Sequence, residues 1–308
     1  ASEFLSQANA STKFRWSEQA QGLQLVVWGL FKKAVVADNF AVIADEVFGA
    51  TGEVGYLARL IGVYAFTIQI YCDFSGYTDI ARGCGKLLGF ELPQNFRMPY
   101  FTTNPAQFWR HWHMSLSGWL KDYLYISLGG NRRTPRRTTI NLSLTMLLGG
   151  LWHGAAWNFV LWGAYQGGLL GIHRMWKNRK GSMSQPTKPN AGIHMVLTWM
   201  VWINLVAFGW LLFRAINFGQ IVSFLSSTEV SALAGLPLAQ HVVLAGCIGF
   251  GGFVVVLIWD AFLWFKPKAE TPILGLSPIA QASVVFGLYV LTSFFGRFSA
   301  DEFIYFQF

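Results

Sequence analysis

The segment GGLWHGAAWNFVLWG, from Gly149 to Gly163, decides the fold that this sequence predicts. It consists of small and apolar residues without formal charge, which is typical of a membrane interior or a dry protein core. One imidazole, that of His153, lies near its middle. An ionisable side chain at such depth is costly and therefore indicates a functional site. The simpler interpretation is a neutral imidazole hydrogen-bonded to a neighbouring helix.

The composition around this segment favours a membrane protein. Hydrophobic residues make up 53% of the 308 residues and charged residues 12%, about half of the roughly 25% usual in soluble domains. The 14 Trp and 27 Phe residues suit long spans with aromatic belts. The net charge of +8 collects in clusters between apolar runs, as in cytoplasmic loops. We therefore expect a lipid bilayer, and no nucleic acid, as a partner.

Common templates of soluble enzymes are missing from the sequence. It has three cysteines and no C-x-x-C pair, so neither a disulfide framework nor a zinc site is indicated. It also lacks G-x-G-x-x-G, P-loop, G-x-S-x-G and H-E-x-x-H patterns, which disfavours nucleotide enzymes, serine hydrolases and zinc proteases. We expect no metal and no bound cofactor.

Apolar runs long enough to cross ~30 Å of hydrocarbon divide the chain. We expect a short span or an interfacial helix over Gly22–Ala37, where Lys32 and Lys33 interrupt the apolar pattern. The segment Phe108–Leu128 is amphipathic and aromatic and carries charged residues, which predicts a helix buried in protein or a re-entrant one. The remaining predicted segments are the spans Tyr56–Cys72, Ile193–Phe213, Val242–Phe265 and Ile279–Phe295, a loop with a short helix over Asp73–Tyr100, and a loop over Lys177–Asn190.

The run from Ile140 to Ile172 has basic clusters on both sides. If both clusters are cytoplasmic, the chain crosses the membrane an even number of times between them. Two full spans need about 40 residues and a turn, which is more than the run provides. We therefore expect a re-entrant excursion that breaks at Gly149 and Gly150. The alternative is one long tilted helix with one cluster on the other side.

Two more histidines precede this run. His111 and His113 are two residues apart, so on a helix they would face opposite ways and would not chelate a metal together. Ser117 follows His113 by one turn and shares its face. Further upstream, Asp73 and Asp79 directly follow a predicted span. A hydrated helix end is the simplest interpretation of these two carboxylates.

Several motifs of this sequence resemble those of the membrane-bound O-acyltransferases, and within them the bacterial branch that acetylates exported polysaccharides such as alginate and cellulose. The C-terminal DEFIYFQF, residues 301–308, is similar to the ending of that branch. The other matching motifs are DFSGYTDIARG (73–83), LPQNFRMPY (92–100), FWRHWHMSLSGWLKDYLYISLGGNR (108–132) and LLGGLWHGAAWNFVLWG (147–163).

The resemblance implies an all-α, polytopic membrane fold with re-entrant or broken helices around a central funnel or tunnel. It implies one embedded domain over residues 1–308 with its motif core at 71–163, and the chain is similar to the C-terminal portion of the family fold. The family's catalytic base falls on His153, and the His of its W-H-x-S motif falls on His113, which would help to position the donor or the acceptor. Residues inside matched motifs with an expected supporting role are Asp73, Asn95, Trp109, Trp112, Ser117, Asp122, Trp152 and Asn158.

The function implied by the resemblance is the transfer of acetyl from a cytoplasmic thioester, acetyl-CoA or another, for the O-acetylation of an exported polysaccharide. A bacterial inner-membrane location follows, with a periplasmic acetyltransferase and polysaccharide synthesis and export proteins as partners. One alternative is D-alanyl transfer to teichoic acid. The other is a transporter or scaffold subunit of a polymer-secretion complex, in which a histidine at position 153 would not act as a base.

Overall fold

The computed structural model of the chain is mainly helical and describes residues 6–7, 15–51, 54–181, 192–226, 239–265, 273 and 276–298. No strand occurs in these ranges, which confirms the predicted all-α class. The helices are α1 Trp16–Leu30, a first π-helical segment Phe31–Ala37, α2 Asp38–Phe48, α3 Tyr56–Leu87, α4 Pro105–Phe108, α5 Met114–Trp119, a second π-helical segment Leu120–Tyr125, α6 Pro135–His153, α7 Trp157–Gly181, α8 Ile193–Arg214, α9 Phe218–Ser226, α10 Gln240–Phe265 and α11 Pro278–Phe295.

Two compact units divide the chain. Unit 1 comprises residues 1–95 and 230–307, and unit 2 comprises residues 96–229 with residue 308. The single domain expected over residues 1–308 stays a prediction.

Four described helices, α3, α8, α10 and α11, are long and apolar enough to cross a membrane. The predicted spans Ile193–Phe213, Val242–Phe265 and Ile279–Phe295 are confirmed almost residue for residue by the last three. The C-terminal DEFIYFQF motif and most of the predicted 177–190 loop lie outside the described residues, although the helix α7 continues through Lys177 to Gly181.

Helix α3 corrects the prediction of a loop after Cys72, because it continues to Leu87. The polar residues that suggested a helix end are paired inside unit 1. The Lys33 ammonium lies 2.7 Å from an Asp73 carboxylate oxygen, and the Lys32 ammonium lies 2.7 Å from Asp79. A carboxylate with a buried cationic partner does not need water, so the helix passes through these positions.

The two lysines also explain the first helical run. Residues 16–48 form one continuous helix, whose middle turn, Phe31–Ala37, is π-helical. The prediction of a short span or an interfacial helix over Gly22–Ala37 therefore underestimates the length of this helix, which extends further at both ends. A π-helical turn holds one extra residue, and both lysine side chains on it reach carboxylates of α3. At Gly29 an added Cβ would lie 2.5 Å from the Gly76 carbonyl oxygen, so α1 and α3 pack backbone to backbone.

Helices α6 and α7 of unit 2 form an antiparallel hairpin that corrects the predicted break at Gly149 and Gly150. Helix α6 runs unbroken through both glycines to His153, and the turn comes at residues 154–156. The glycines serve close packing instead, since an added Cβ on Gly150 would lie 2.3 Å from the Phe159 carbonyl oxygen and 3.1 Å from the Gly163 Cα. The helices extend beyond the apolar run, so the hairpin has room for two long helices.

Helix α8 packs antiparallel to α7. The Tyr165 hydroxyl donates to the Leu205 carbonyl at 2.8 Å, and the Asn158 amide donates to the carbonyls of Phe213 and Ala215 at 3.4 and 3.1 Å. The start of α7 is therefore level with the end of α8. By the same register, the last turns of α7 are level with the first turn of α8.

The segment 108–128 is not the single helix that its amphipathic pattern suggested. It contains the end of α4, a turn, α5 and the second π-helical segment. The turn exists because His113 adopts left-handed backbone angles, φ 41° and ψ 59°, which an α-helix cannot contain. His111 is held in the turn, where its Nδ1 lies 2.6 Å from the Arg97 carbonyl oxygen.

Candidate active site

His153 is the last residue of α6 and lies among aromatic rings of unit 2. Its ring centroid is 5.2 Å from that of Trp162 and 5.3 Å from that of Phe213, both nearly perpendicular to the imidazole. Phe159 lies 6.3 Å away. These rings come from α7 and α8, so the helix register that Asn158 fixes also places His153.

His113 directly precedes the first residue of α5 and has left-handed backbone angles. Its ring stacks on that of Phe96, 6.5 Å away at an interplanar angle of 14°. The Ser117 amide donates to the His113 carbonyl at 2.9 Å, so Ser117 lies one helical turn later, as predicted. A left-handed non-glycine residue costs roughly 1–3 kcal/mol and is common at functional sites.

Neither imidazole is protonated at neutral pH. Burial lowers the pKa of His153 from 6.5 to about 4. Burial also lowers the pKa of His113 to about 4, and repulsion from His153 adds to the effect. Each is therefore neutral at pH 7 and has a lone pair available to accept a proton.

An aromatic cluster continues from His153 to the segment around His113. Trp112 is 5% exposed, and its ring lies 4.6 Å from that of Trp210. Trp109 lies 5.9 Å from Trp162. Sequence reasoning predicted supporting roles for Trp109 and Trp112 but did not name Trp162 and Trp210. The signal for Trp162 is its place in the same motif as His153, nine residues on.

A cleft of about 420 Å³ in unit 2 adjoins these residues. Its walls include the predicted supporting residues Trp109 and Ser117, and Leu142 and Met146 of α6. The lining is largely apolar, with the basic residues Arg110 and Lys121 also contributing. The cleft can therefore hold an apolar chain that carries an anionic group.

The other predicted supporting residues have different surroundings. Trp152 is 54% exposed beside His153. Asp122 is exposed, and no hydrogen bond or ion pair involves it among the described residues. Asn158 joins α7 to α8, as described above. Asp73 and Asn95 belong to unit 1, where Asp73 pairs with Lys33. The catalytic and supporting roles of all these residues stay predictions.

Fold and site define a class: a polytopic helical membrane protein with two half-buried, neutral imidazoles beside aromatic rings. The sequence model of the membrane-bound O-acyltransferase family matches residues 2–214, and the chain belongs to this family.

Relatives within the family are bacterial. The chain is 46% identical over 198 residues to a probable alginate O-acetylase AlgI of Azotobacter vinelandii, covering 64% of this chain and 38% of that protein. It is 38% identical over 267 residues to the corresponding Pseudomonas syringae protein, covering 82% and 48%. A peptidoglycan O-acetyltransferase of Helicobacter pylori is 40% identical over 200 residues, covering 64% and 36%. The chain thus spans about half, or less, of the length of these relatives.

Proposed function

We propose that this protein is an O-acyltransferase that moves acetyl from a cytoplasmic thioester toward the hydroxyl groups of an exported polysaccharide. The observation that carries the proposal is the pair of half-buried imidazoles on the two family motifs, His113 and His153. Both have a pKa of about 4, so both are unprotonated at neutral pH. A base for hydroxyl activation needs this protonation state.

In the proposed reaction His153 is the general base. It accepts the proton of the acceptor hydroxyl while the hydroxyl oxygen attacks the thioester carbonyl. His113 positions the donor or the acceptor beside it. The aromatic rings around His153 exclude water, which protects the thioester from hydrolysis.

The charge distribution supports a cytoplasmic donor. Arg136 and Arg137 lie in the first turn of α6, and Arg174 and Lys177 lie in the last turns of the antiparallel α7. The same end of the hairpin therefore carries both basic clusters, and the positive-inside rule assigns it to the cytoplasm. His153 lies at the other end, about 27 Å along α6.

The cleft lies between these two ends. Its lining includes Met146 and Leu142 of α6, which lie about 10 Å and about 16 Å from His153 by helical rise. We propose that the arm of acetyl-CoA, or of another acetyl thioester, occupies this cleft and brings its acyl end toward His153.

The acceptor is proposed from the relatives. Those named above are called alginate O-acetylases and a peptidoglycan O-acetyltransferase, so an alginate- or cellulose-like polysaccharide fits best. The acetyl group goes to the polymer directly or through a periplasmic acetyltransferase, in a complex with synthesis and export proteins of the bacterial inner membrane.

Two alternative functions are D-alanyl transfer and a role as transporter or scaffold. Relatives named teichoic acid D-alanyltransferase are 28% identical, which is lower than the 38–46% of the alginate proteins. D-alanyl transfer is therefore the second candidate. A transporter or scaffold needs no neutral imidazole at position 153, so the neutral imidazole of His153 favours the acyltransferase over these two functions.

The decisive experiment measures polymer-bound acetyl in cells that carry His153→Gln or His153→Ala at matched membrane levels. Glutamine keeps hydrogen-bonding capacity but cannot act as the base. We expect both variants to lose roughly 10²- to 10⁴-fold in transfer rate while the polymer is still made. The matched control is His173→Gln, on the basic end of α7, which should acetylate normally. Near-normal acetylation by His153→Gln would refute the role of His153 as base.

A further inference from the structure

Three tryptophans beside the candidate base have indole N–H groups that lack acceptors. The Nε1 atoms of Trp109, Trp162 and Trp210 are buried and have no hydrogen-bond partner within the described part of the chain. Trp162 and Trp210 are each 2% exposed. A buried donor left unpaired costs about 1–3 kcal/mol, and buried indoles usually find an acceptor.

Other tryptophans of the same unit do find acceptors. The Trp199 indole donates to the Tyr100 carbonyl at 2.7 Å, and the Trp202 indole donates to the Thr102 hydroxyl at 3.2 Å. Both lie on α8, as Trp210 does. Among the buried indoles of the described residues, the unpaired N–H groups therefore all belong to the aromatic cluster around His153.

The three rings form a continuous path from the cleft to the base. Trp109 lines the cleft, its ring is 5.9 Å from that of Trp162, and Trp162 is 5.2 Å from His153. Trp210 lies 6.3 Å from Trp162. Trp162 and His153 do not line the cleft, so a ligand reaches the imidazole from the cleft only when these rings move apart. Such a ligand meets three indole N–H donors and must therefore offer hydrogen-bond acceptors.

We propose that these indoles bind carbonyl oxygen, and that Trp162 holds the acyl carbonyl oxygen of the thioester beside His153. This inference rests on the proposed acyl transfer. The acceptor oxygen attacks the carbonyl carbon as His153 takes its proton, and the C=O electron pair moves onto oxygen. The Trp162 N–H donates to this oxyanion. The intermediate then re-forms C=O, the C–S bond breaks, and the thiolate takes the proton from the imidazolium.

The proposed roles of Trp162 and Trp109 differ. Trp162 lies at the reacting end, so its donor strengthens as negative charge develops and stabilises the transition state more than the bound donor. Trp109 lies at the cleft and contributes to holding the donor in its ground state. Loss of the first N–H should lower kcat, and loss of the second should raise KM.

Tryptophan-to-phenylalanine exchange removes the N–H and keeps an aromatic ring. In native membranes supplied with acetyl-CoA, we expect Trp162→Phe to lower kcat about 10²- to 10³-fold, as for loss of one oxyanion donor. Trp109→Phe should raise KM several-fold with little change in kcat. The matched control is Trp202→Phe, whose indole already has an acceptor and which should retain kcat and KM.

A binding measurement separates a carbonyl site from a packing role. The probes are acetonyl-CoA, a ketone that keeps the carbonyl, and S-ethyl-CoA, which lacks it. The unaltered protein should bind the ketone more tightly, and its carbonyl stretch should shift to lower wavenumber when isotope-edited infrared spectra are taken of the complex. Trp162→Phe should abolish both the preference and the shift, while Trp202→Phe keeps them.

Each of the following four outcomes would overturn the proposal. If Trp162→Phe keeps the ketone preference and the shift, the indoles bind only water. If all three variants lose activity together with thermal stability, the tryptophans act by packing. If the unaltered protein turns over acetyl-CoA but shows no ketone preference, only the carbonyl site is wrong. If it neither binds nor turns over any of these compounds, the proposed function fails, and this inference fails with it.

Discussion

At the scale of single residues, the protonation state of His153 is set by competition between two effects. The C-terminal end of a helix favours a protonated imidazole, and His153 is the last residue of α6. Burial favours the neutral form and prevails, since the pKa falls to about 4. The residue is thus available as a base over the whole neutral range. Its position in the sequence motif could be predicted, but the strength of this effect depends on rings from α7 and α8.

The pH dependence of the reaction follows from this pKa. Because His153 loses its proton already near pH 4, kcat/KM should stay flat from pH 8 to about 5 and fall only below that. The folded protein also binds fewer protons than the unfolded one between pH 4 and 6.5, so its stability should fall as pH drops through this window. The measurement is acetyl transfer in membrane vesicles with the thioester present on the active side. An acidic limb centred near 6.5 would show that the imidazole is hydrated.

At the scale of elements, the α6–α7 hairpin depends on close backbone approach. A Cβ on Gly163 would lie 2.6 Å from the Met146 carbonyl oxygen and 3.0 Å from the Leu147 Cα. These are backbone atoms, which cannot move aside without separating the helices. The hydropathy pattern located this apolar run, but it could not show where the helices start, turn and end.

Gly163→Ala should therefore lower both the melting temperature and acetyl transfer, since it shifts the helix that carries Trp162 against the helix that carries His153. The matched control is Gly168→Ala, where an added Cβ meets nothing within 4 Å. The control should be neutral or slightly stabilising, because alanine favours helix over glycine by about 1 kcal/mol. Thermal unfolding in detergent and polymer acetylation measure the two effects. Equal behaviour of both variants would contradict close packing of the hairpin.

Helix α3 is likewise held by the buried lysines of the first π-helical segment. Lys33 lies between Asp73 and Asp38, at 2.7 and 2.8 Å. Lys33→Met removes the cation that pairs with both carboxylates, which should cost about 3–5 kcal/mol. Arg15→Met, which breaks the exposed pair with Glu18, should cost at most about 1 kcal/mol. Chemical denaturation of the solubilised protein compares them.

If the cost of Lys33→Met arises from the unpaired Asp73 charge, the added exchange Asp73→Asn should recover part of the stability. No recovery, or a loss no larger than that of Arg15→Met, would mean that the pair contributes little. The pairing could not be predicted from the sequence, because Lys33 and Asp73 lie forty positions apart and each looks unfavourable alone.

At the scale of the whole molecule, the charge distribution predicts the orientation of the hairpin in the membrane. Both basic clusters lie at one end of the hairpin and His153 lies at the other. From the positive-inside rule we expect Arg136 to lie at the cytoplasmic surface. Trp157, which begins α7, is exposed at the opposite end.

Cysteine labelling tests this orientation. In a background with Cys84→Ser and Cys247→Ser, which removes the exposed thiols, Arg136→Cys should react with a membrane-impermeant maleimide only in inside-out vesicles. Trp157→Cys should react preferentially from the other side. Buried Cys72 remains as the internal control for intact protein. Labelling of Arg136→Cys in intact spheroplasts would reverse the orientation and with it the proposed side of donor entry.

The sequence by itself determined the membrane class, three of the spans, the family resemblance and the two histidines. These follow from composition, from apolar run length and from motifs, all of which are properties of contiguous residues. Only the tertiary structure decided that α3 continues past Asp73, that the hairpin turns after His153, and that the indoles of Trp109, Trp162 and Trp210 lack acceptors. The physical reason is that ion pairing, helix contact and hydrogen-bond satisfaction join residues far apart in the chain, whereas hydropathy sums each residue alone.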